Sequence, residues 1–508
     1  MPRALPSPAV CLITIAALGT TACSPRKSGT ESASTTSTET ATAGATAEWN
    51  KGAVPLTTAS DEARKLYLEG RALGENLRLH DGRQLFEQAA AKDPSFAMAH
   101  YQLAINSATA KDFFAHLNEA VKLADKGSEG ERLFIRNLEA GGNAQPKKAL
   151  ELAEELVSKY PNDERAHFTL GNAHFGQQDY DKAIEQYQKA IEINAGFAPA
   201  YNSLGYAYRP IEKYDLAEQA FTKYIELIPN DPNPYDSYAE LLMKTGRFDE
   251  SIVQYRKALS VDSNFSASKV GTATNLMFQG KHDAAAAEMQ KLYAAARDDA
   301  DRRTALFVRS VIYTDAGRTA AAVKEIQKEY DLDARLADTA NMSGDVLLIG
   351  NILLDAGKPD EAAKKFWHSL DLIEKSSLSS EVKEDTRLAD HYNKARVALA
   401  KGDVATAKTE AAAYMSGSEA RNNKFRVRQA HQLAGSIALE EKSYDAAIDH
   451  LQQANLQDPQ VVYLTALAYQ WKGDAAKGKE LAAKAANANV LPQITYAFVR
   501  EKAKKMGA

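Results

Sequence analysis

The sequence predicts an all-α protein built from repeated helical hairpins, and three observations support this fold class. Ala, Glu, Lys, Leu and Gln dominate the composition, Pro is sparse within the chain, and long runs of β-branched residues are absent, as is typical of helical proteins. Similar segments recur every 34 residues in the centre of the chain. At 508 residues the chain is far longer than one core requires, so several domains or one extended repeat array are expected.

The charge balance and the cysteines exclude several classes of function. The chain carries 62 Lys and Arg against 67 Asp and Glu, and it has no block of basic residues that could track a phosphate backbone. Nucleic acid is therefore not an expected partner. The two cysteines, Cys11 and Cys23, stand near the N-terminus, so neither a disulfide framework nor a cysteine-based metal site is expected beyond them. No metal and no small-molecule cofactor is predicted.

The N-terminus has the layout of an export signal. Arg3 precedes an apolar run at 9–18 that is too short to span a bilayer, and small residues then lead to Cys23. This stretch resembles a bacterial lipoprotein signal peptide. The resemblance implies that residues 1–22 are removed, that Cys23 receives a diacylglycerol and an N-acyl chain, and that the protein is exported and lipid-anchored. The alternative is ordinary cleavage after Ala22, which would leave a free thiol on Cys23.

Residues 23–57 are interpreted as the lipidated cysteine followed by a disordered tether rich in Ser, Thr and Ala. Residues 24–47 contain no large apolar side chain, so they cannot bury enough surface to fold. A flexible chain of this length reaches about 25 to 30 Å, enough to hold a folded body clear of a membrane surface. Because Ser24 follows the cysteine, resemblance to Gram-negative lipoproteins favours the outer membrane facing the periplasm, with the cell surface as an alternative.

The centre of the chain repeats with a fixed period. The stretch AHFTLGNAHFGQQDYDKAIEQYQKAIEINAGFA at 166–198 aligns with AYNSLGYAYRPIEKYDLAEQAFTKYIELIPNDP at 200–232, so that Gly171 matches Gly205. A period of 34 with L-G-x-x-aromatic, then A-x-x-x-(F/Y), then Pro resembles the tetratricopeptide repeat family. The resemblance implies helical hairpins stacked as a right-handed superhelical solenoid.

Small residues at fixed repeat positions are interpreted as packing sites between the two helices of a hairpin. Gly in the first helix and Ala early in the second let the backbones approach, while aromatic side chains fill the remaining gaps. Gly inside a helix costs about 1 kcal/mol relative to Ala, so its recurrence indicates that close packing outweighs this cost. The predicted packing residues are Gly70, Gly171, Ala183, Gly205, Ala217, Phe221, Ala258, Gly435 and Ala447.

Weaker copies flank this centre and set the predicted domain boundaries. An N-terminal repeat array at 58–295 precedes a more irregular C-terminal array at 296–508, in which turn glycines recur at longer spacings. The polar segment at 296–302 is predicted to separate the two halves. Nine to eleven hairpins are expected in total. The amphipathic segment at 494–506, basic on its outer face, is predicted to form a solvent-facing capping helix.

Histidines and enzyme motifs give little support for catalysis. His167 and His174 lie two helical turns apart, but they occupy the repeat positions of Tyr201 and Tyr208, which favours packing over a zinc or catalytic role. P-loop, dinucleotide-binding, H-E-x-x-H and G-x-S-x-G motifs are absent. The K-T-G at 244–246 belongs to a repeat turn, and the S-x-x-K matches within the repeats follow it, opposite to the order in penicillin-interacting enzymes.

The predicted function is a lipid-anchored scaffold that binds a protein or an extended peptide in the concave groove of the solenoid. The resemblance implies that first-helix residues line this groove, and Tyr206 with Arg209 form the pair expected to dominate binding, without a role in stability. The alternatives are an enzyme or enzyme-accessory subunit that uses non-consensus groove residues, and a merely solvated inner wall. The predicted partner-binding residues are Arg165, Phe168, Asn172, Phe175, Asn202, Ser203, Tyr206, Arg209, Asp236 and Glu240.

Overall fold

The computed structural model of the protein describes residues 52–75, 78–107 and 109–507. Within these residues the chain forms 25 α-helices and no β-strand, and consecutive helices pair as twelve hairpins, α1–α2 to α23–α24, followed by α25. We call the two helices of each hairpin helix A and helix B. The helices are α1 Asp61–Glu75, α2 Leu79–Lys92, α3 Ala97–Ile105, α4 Ala110–Leu123, α5 Glu129–Gly142, α6 Pro146–Lys159, α7 Glu164–Gly176, α8 Tyr180–Ile193, α9 Ala198–Tyr208, α10 Tyr214–Leu227, α11 Pro232–Lys244, α12 Phe248–Val261, α13 Ser266–Phe278, α14 His282–Ala294, α15 Asp299–Asp315, α16 Thr319–Arg335, α17 Thr339–Asp355, α18 Pro359–Lys375, α19 Ser380–Ala400, α20 Val404–Ala420, α21 Lys424–Glu440, α22 Tyr444–Gln452, α23 Pro459–Lys472, α24 Ala475–Ala486 and α25 Ile494–Gly507.

Several A helices begin at an aspartate. Asp163, Asp231 and Asp458 are the N-caps of α7, α11 and α23, and each carboxylate accepts a hydrogen bond from a backbone N–H in the first turn of its helix. Ser128 and Glu131 form a reciprocal capping box at the start of α5. These side chains satisfy donors that have no partner inside the helix. The starts of these A helices therefore follow from local sequence signals.

In the third to twelfth hairpins, the turn from helix A to helix B contains one residue with a left-handed backbone, which is Lys442 in the eleventh. Glycine supplies it in six hairpins, at Gly246, Gly280, Gly317, Gly357, Gly402 and Gly473. In the third, fourth and fifth hairpins the left-handed residues are instead Ala144, Gln178 and Glu212, with φ of 54°, 60° and 58°. A side chain in this conformation costs about 1 to 2 kcal/mol, so these three turns retain strain that glycine would remove.

The predicted packing residues all lie inside the hairpins. A Cβ added to Gly171 would lie 2.5 Å from the ring of Tyr187, and one added to Gly205 would lie 2.6 Å from the ring of Phe221. Helix A therefore approaches helix B more closely than any side chain would allow. The same arrangement brings Gly70 to Phe86 and Gly435 to Leu451, while Ala183, Ala217, Phe221, Ala258 and Ala447 are fully buried.

Two expectations about the array need correction. The described residues form twelve hairpins rather than nine to eleven, in part because the second hairpin does not follow the sequence pattern: α3 is only 9 residues long and no glycine marks its turn. The segment at 296–302 also does not interrupt the stacking. Asp298 caps α15 there, and α15 packs against α13 and α14. One hydrophobic core runs across the expected boundary, from Val270 to Ala503.

The superhelix closes on itself through polar contacts. The Ser379 hydroxyl donates to Asn143 Oδ1 at 2.9 Å, and Lys484 Nζ donates to Glu212 Oε1 at 2.8 Å. We call this set of contacts the seam. It joins the A-to-B turns of the third, fourth and fifth hairpins to the tenth, eleventh and twelfth hairpins. On one side are Asn143, Gln177, Gln178, Asp179 and Glu212, and on the other are Ser379, Lys424, Arg428 and Lys484.

The last helix has a larger structural role than a terminal cap. Lys504 and Lys505 on α25 are exposed, as expected for a basic outer face. The opposite face is buried against α15, α17, α23 and α24. Arg500 lies in this interface, with its Nε 3.2 Å from Asp315 Oδ1 and its guanidinium 3.9 Å from the centre of the Phe278 ring. The helix therefore joins the end of the array to its middle.

Candidate functional site

The concave side of the superhelix encloses a cavity of about 1310 Å³. Its wall consists mainly of A helices from the first to the twelfth hairpin, together with residues at 490–496. Because the superhelix closes at the seam, residues more than 200 positions apart, such as Phe175 and Arg396, line the same space. A cavity of this size can hold a segment of chain as well as a small molecule.

Aromatic rings and amides are interspersed along this wall. Phe175 packs edge-on against Tyr180, with 5.4 Å between the ring centres. Asn172 is exposed, and its Oδ1 accepts a hydrogen bond from the Tyr187 hydroxyl at 2.8 Å. Elsewhere on the wall the Arg396 guanidinium lies 5.3 Å from the centre of the Tyr392 ring. Such a mixture of donors, acceptors and flat apolar surfaces suits an extended chain.

Nine of the ten residues predicted to bind a partner line the cavity: Arg165, Phe168, Asn172, Phe175, Asn202, Ser203, Tyr206, Arg209 and Glu240. The exception is Asp236. Its side chain is 1% exposed and accepts a hydrogen bond from the Ser268 hydroxyl at 2.8 Å, so it joins the sixth and seventh hairpins. The helix period alone does not distinguish the interface between two hairpins from the groove wall, because positions one residue apart on a helix can face one or the other.

The expectation that Tyr206 and Arg209 act only in binding needs correction. Tyr206 is 6% exposed and packs edge-on against Phe221, with 5.3 Å between ring centres. The Arg209 guanidinium lies 4.9 Å from the centre of the Tyr206 ring and 3.2 Å from Glu240. Because both side chains are part of the packed wall, their joint replacement by Ala is expected to lower the melting temperature.

Lys244 is one of the cationic residues of the cavity that nothing in the sequence marked as part of a site. Lys244 ends α11 and lines the cavity beside Arg209 and Glu212. Burial lowers the pKa of its ammonium group to about 8, and the positive charge of Arg209 acts in the same direction. In the sequence Lys244 is visible only as the first residue of the K-T-G turn. Its position in the cavity depends on how the sixth hairpin stacks.

The segment just before α1 crosses the edge of the cavity. The Val54 N–H donates to Asp163 at 2.8 Å, the Thr57 N–H donates to Glu131 at 2.8 Å, and the Thr58 hydroxyl donates to Asp93 at 2.6 Å. Residues 52–57, which were predicted to belong to the tether, are therefore held against the first four hairpins. The hydrogen bonds from Thr58 and Ser95 outweigh the effect of burial and lower the pKa of Asp93 to about 2.

The two histidines of the fourth hairpin are packed into it. His167 Nδ1 lies 2.8 Å from Gln186 Oε1, its Nε2 lies 3.0 Å from the Pro161 carbonyl oxygen, and His174 is buried nearby. In the described part of the chain, no group of three or more His, Cys, Asp or Glu side chains could hold a metal ion. No helix among the described residues is both long and apolar enough to cross a bilayer. Cys23 lies outside the described residues.

Comparison with known proteins identifies the central hairpins. Models of the tetratricopeptide repeat family match residues 164–197, 198–231, 233–265 and 270–337, which form the fourth to eighth hairpins. Superkiller complex protein 3 of Mus musculus is 32% identical over 88 residues, which are 16% of this chain and 6% of that protein's length.

Two solved structures show the extent of similarity at the level of the fold. A tetratricopeptide repeat protein from Parabacteroides merdae is 16% identical, with a TM-score of 0.35 over 51% of this chain and 98% of that one. The APC/C hetero-tetramer Cut9–Hcn1 is 14% identical, with a TM-score of 0.42 over 87% of this chain and 76% of that one. The family matches and the helical hairpins together identify this protein as an all-α solenoid whose fourth to eighth hairpins are tetratricopeptide repeats.

Proposed function

We propose that this protein is a lipid-anchored scaffold of the bacterial cell envelope that binds a protein or an extended peptide inside its cavity. The observation that carries the proposal is the cavity of about 1310 Å³, whose wall includes nine of the ten residues that the repeat pattern assigned to the groove. The tetratricopeptide repeats support a protein or peptide as the partner.

The membrane anchor in this proposal depends on the sequence of the N-terminus. A lipidated Cys23 would attach the chain to the outer membrane facing the periplasm, and residues 24–51 would connect that anchor to the solenoid. The segment at 52–60 is bound along the first four hairpins, so the tether would leave the folded body near Gly52 and the fourth hairpin, where Gly52 contacts Asn162. The solenoid is thereby expected to be held away from the lipid with its cavity accessible.

Variants of the cavity wall test this proposal. Phe175 and Arg396 both line the cavity and are only partly buried, so their replacement by Ala removes contact surface from its wall. We expect Phe175→Ala/Arg396→Ala to recover at least about tenfold less of a partner captured by wild-type protein from solubilised envelope. Val253→Ala is the matched control, because Val253 is 57% exposed on α12 and does not line the cavity.

Two results decide the outcome. Loss of a partner from the cavity variant together with its retention by Val253→Ala supports binding in the cavity. Equal recovery of every partner by all three proteins would contradict it. The melting temperatures of the variants, measured by circular dichroism, establish that they remain folded.

A further inference from the structure

One stretch of the cavity wall has more carboxyl groups than cations. Glu329 and Asp333 lie one turn apart on α16, Asp345 lies on α17, and Arg303 lies between them on α15. Arg303 Nε is 3.1 Å from Asp333 Oδ1 and 3.8 Å from Glu329 Oε1. All four side chains are less than 10% exposed. One guanidinium group thus contacts two buried carboxyl groups and is an electrostatic neighbour of a third, that of Asp345.

A second feature of the same wall is a set of acceptor atoms without donors. Glu329 Oε2, Asp345 Oδ2 and Asn341 Oδ1 are buried and receive no hydrogen bond among the described residues. Asn341 and Asp345 lie one turn apart on α17, and Glu329, Asn341 and Asp345 all line the cavity. The amide group of Asn341 is fixed, because its nitrogen donates to Asp338 Oδ2 at 2.9 Å and leaves its oxygen free to accept. Buried acceptors normally have a donor, so N–H groups brought by a ligand could satisfy these three oxygens. The Arg303 guanidinium group, whose Nε and Nη1 also lack an aligned acceptor, already lies beside Asp333 and Glu329.

We propose that Glu329, Asn341 and Asp345 form a subsite for a primary ammonium group, such as the side chain of a lysine in the bound partner. An ammonium group has three N–H donors around one compact positive charge, which matches three acceptors and an excess of carboxyl groups. This inference rests on the proposed function, because it takes the partner to occupy the cavity.

An ammonium group fits this wall better than a metal ion does. The described residues contain no group of three or more ligating side chains close enough to hold a metal. Asn341 contributes a neutral oxygen, and Arg303 lies beside the carboxyl groups, so a divalent cation would meet a nearby positive charge with few oxygen ligands. A single ammonium charge needs less compensation and gains three directed hydrogen bonds.

The charges around the subsite make its occupancy sensitive to pH. Burial raises the pKa of Glu329 to about 8 and that of Asp333 to about 6, and it raises the pKa of Asp345 well above its ordinary value. The other charged groups that act on these carboxyl groups are Arg303, Asp299 and Asp338. At neutral pH, Glu329 therefore holds a proton when no cation is bound, and burial favours the protonated form of Asp345 in the same way. A bound cation favours their ionised forms, so its binding releases protons.

The experiment uses simple amines and the protein from residue 24 onward, which includes the whole solenoid. Titration calorimetry at pH 7 compares N-acetyl-lysine methylamide, the free diamine cadaverine and the neutral N-acetyl-norleucine methylamide. Two buffers of different ionisation enthalpy measure the protons released. The test variant is Glu329→Gln/Asp345→Asn, whose neutral amides are similar in shape to the carboxyl groups they replace; because burial favours the neutral form of both groups, the fold is expected to persist. Glu361→Gln, at an exposed position on α18, is the matched control.

The expected result is that the lysine derivative binds wild type and Glu361→Gln with proton release, and binds the double variant at least about tenfold more weakly. Binding by cadaverine alone would assign the same ammonium subsite to a free amine instead of a peptide. Equal binding of the norleucine derivative, unchanged binding to the double variant, or no binding of either amine up to about 10 mM would overturn the proposal.

A failure of the subsite can be told apart from a failure of the proposed function. Capture of a partner by wild type, and not by Phe175→Ala/Arg396→Ala, would support the cavity as the binding site even if no amine binds. Amine binding without partner capture would support the subsite alone.

Discussion

The close approach of helix A to helix B at Gly205 gives a direct prediction for Gly205→Ala. The added Cβ would lie 2.6, 2.7 and 2.9 Å from three carbon atoms of the Phe221 ring. Carbon atoms in favourable contact are about 3.5 to 4.0 Å apart, so the ring must retreat by about 1 Å. Phe221 is fully buried and also contacts the ring of Tyr206, so it has little room to move.

The magnitude follows from two opposing effects. Overpacking of this kind costs about 3 kcal/mol at the upper end of its range, whereas replacing Gly by Ala within a helix gains about 1 kcal/mol. We therefore expect Gly205→Ala to lower the free energy of unfolding of the fifth hairpin by about 2 kcal/mol. Gly141→Ala is the matched control, because Gly141 also lies in an A helix and an added Cβ there meets no atom within 4 Å. The control is expected to gain up to about 1 kcal/mol.

Hydrogen exchange of peptides from 198–227 measures this local stability, and urea denaturation followed by circular dichroism measures the whole array. The Phe221→Ala background provides a further check, since the clash disappears there and Gly205→Ala should no longer destabilise the hairpin. If Gly205→Ala protects these amides as well as wild type does, or better, the packing described for the hairpin is wrong.

Three other perturbations test separate parts of the structure. Cys23→Ala is expected to release the protein from membranes, because it removes lipid chains whose burial would stabilise membrane binding by about 0.8 kcal/mol per CH₂. Persistence of the variant in salt-washed membranes would contradict the anchor. Burial raises the pKa of the Asp231 carboxyl group, the N-cap of α11, to about 6, so the folded state loses the stability that the protonated group contributes as the pH rises from about 4 to about 6. In denaturant titrations, the free energy of unfolding of Asp231→Asn should match that of wild type at pH 4 and exceed it by up to about 3 kcal/mol above pH 6. A difference that stays constant with pH would refute this reasoning. Lys424→Glu/Lys484→Glu places negative charges across the seam from Asp179 and Glu212, so the two sides should repel each other at low salt. Small-angle scattering should then give a larger radius of gyration for the variant than for wild type. An unchanged radius would mean that the seam does not hold the superhelix closed.

The hairpins could be predicted because their determinants are local. Gly171 and Gly205 stand 34 residues apart, each faces an aromatic ring 16 residues later, and both features can be counted in the sequence. The longer helices of the eighth to tenth hairpins also appear as longer spacing between the turn glycines. The second hairpin was missed, since its turn has no glycine and α3 is short.

The closure of the superhelix could not be predicted, because it depends on contacts between residues with no sequence relationship. Gln178 and Arg428 are 250 positions apart and meet only after six further hairpins have each added a small rotation. The left-handed, non-glycine residues Gln178 and Glu212 are a partial signal. They keep a side chain where glycine would be less strained, and both side chains contact the opposite side of the seam.

The candidate site shows the same division between local and distant determinants. Nine of the ten residues that the tetratricopeptide resemblance assigned to the groove line the cavity, and the exception is Asp236, whose environment is decided by a partner on the next hairpin. The carboxyl groups of Glu329 and Asp345 were not selected, since each is an ordinary polar residue until α15, α16 and α17 are stacked.

The most direct test of a partner bound in the cavity is photo-crosslinking in living cells. A photoreactive amino acid replaces Phe175 inside the cavity or Val253 on the outer surface, in the protein expressed from its full sequence. We expect a discrete crosslinked species from position 175 and none from position 253. The same species from both positions, or a species from 253 alone, would contradict the proposal that this solenoid holds its partner on its concave side.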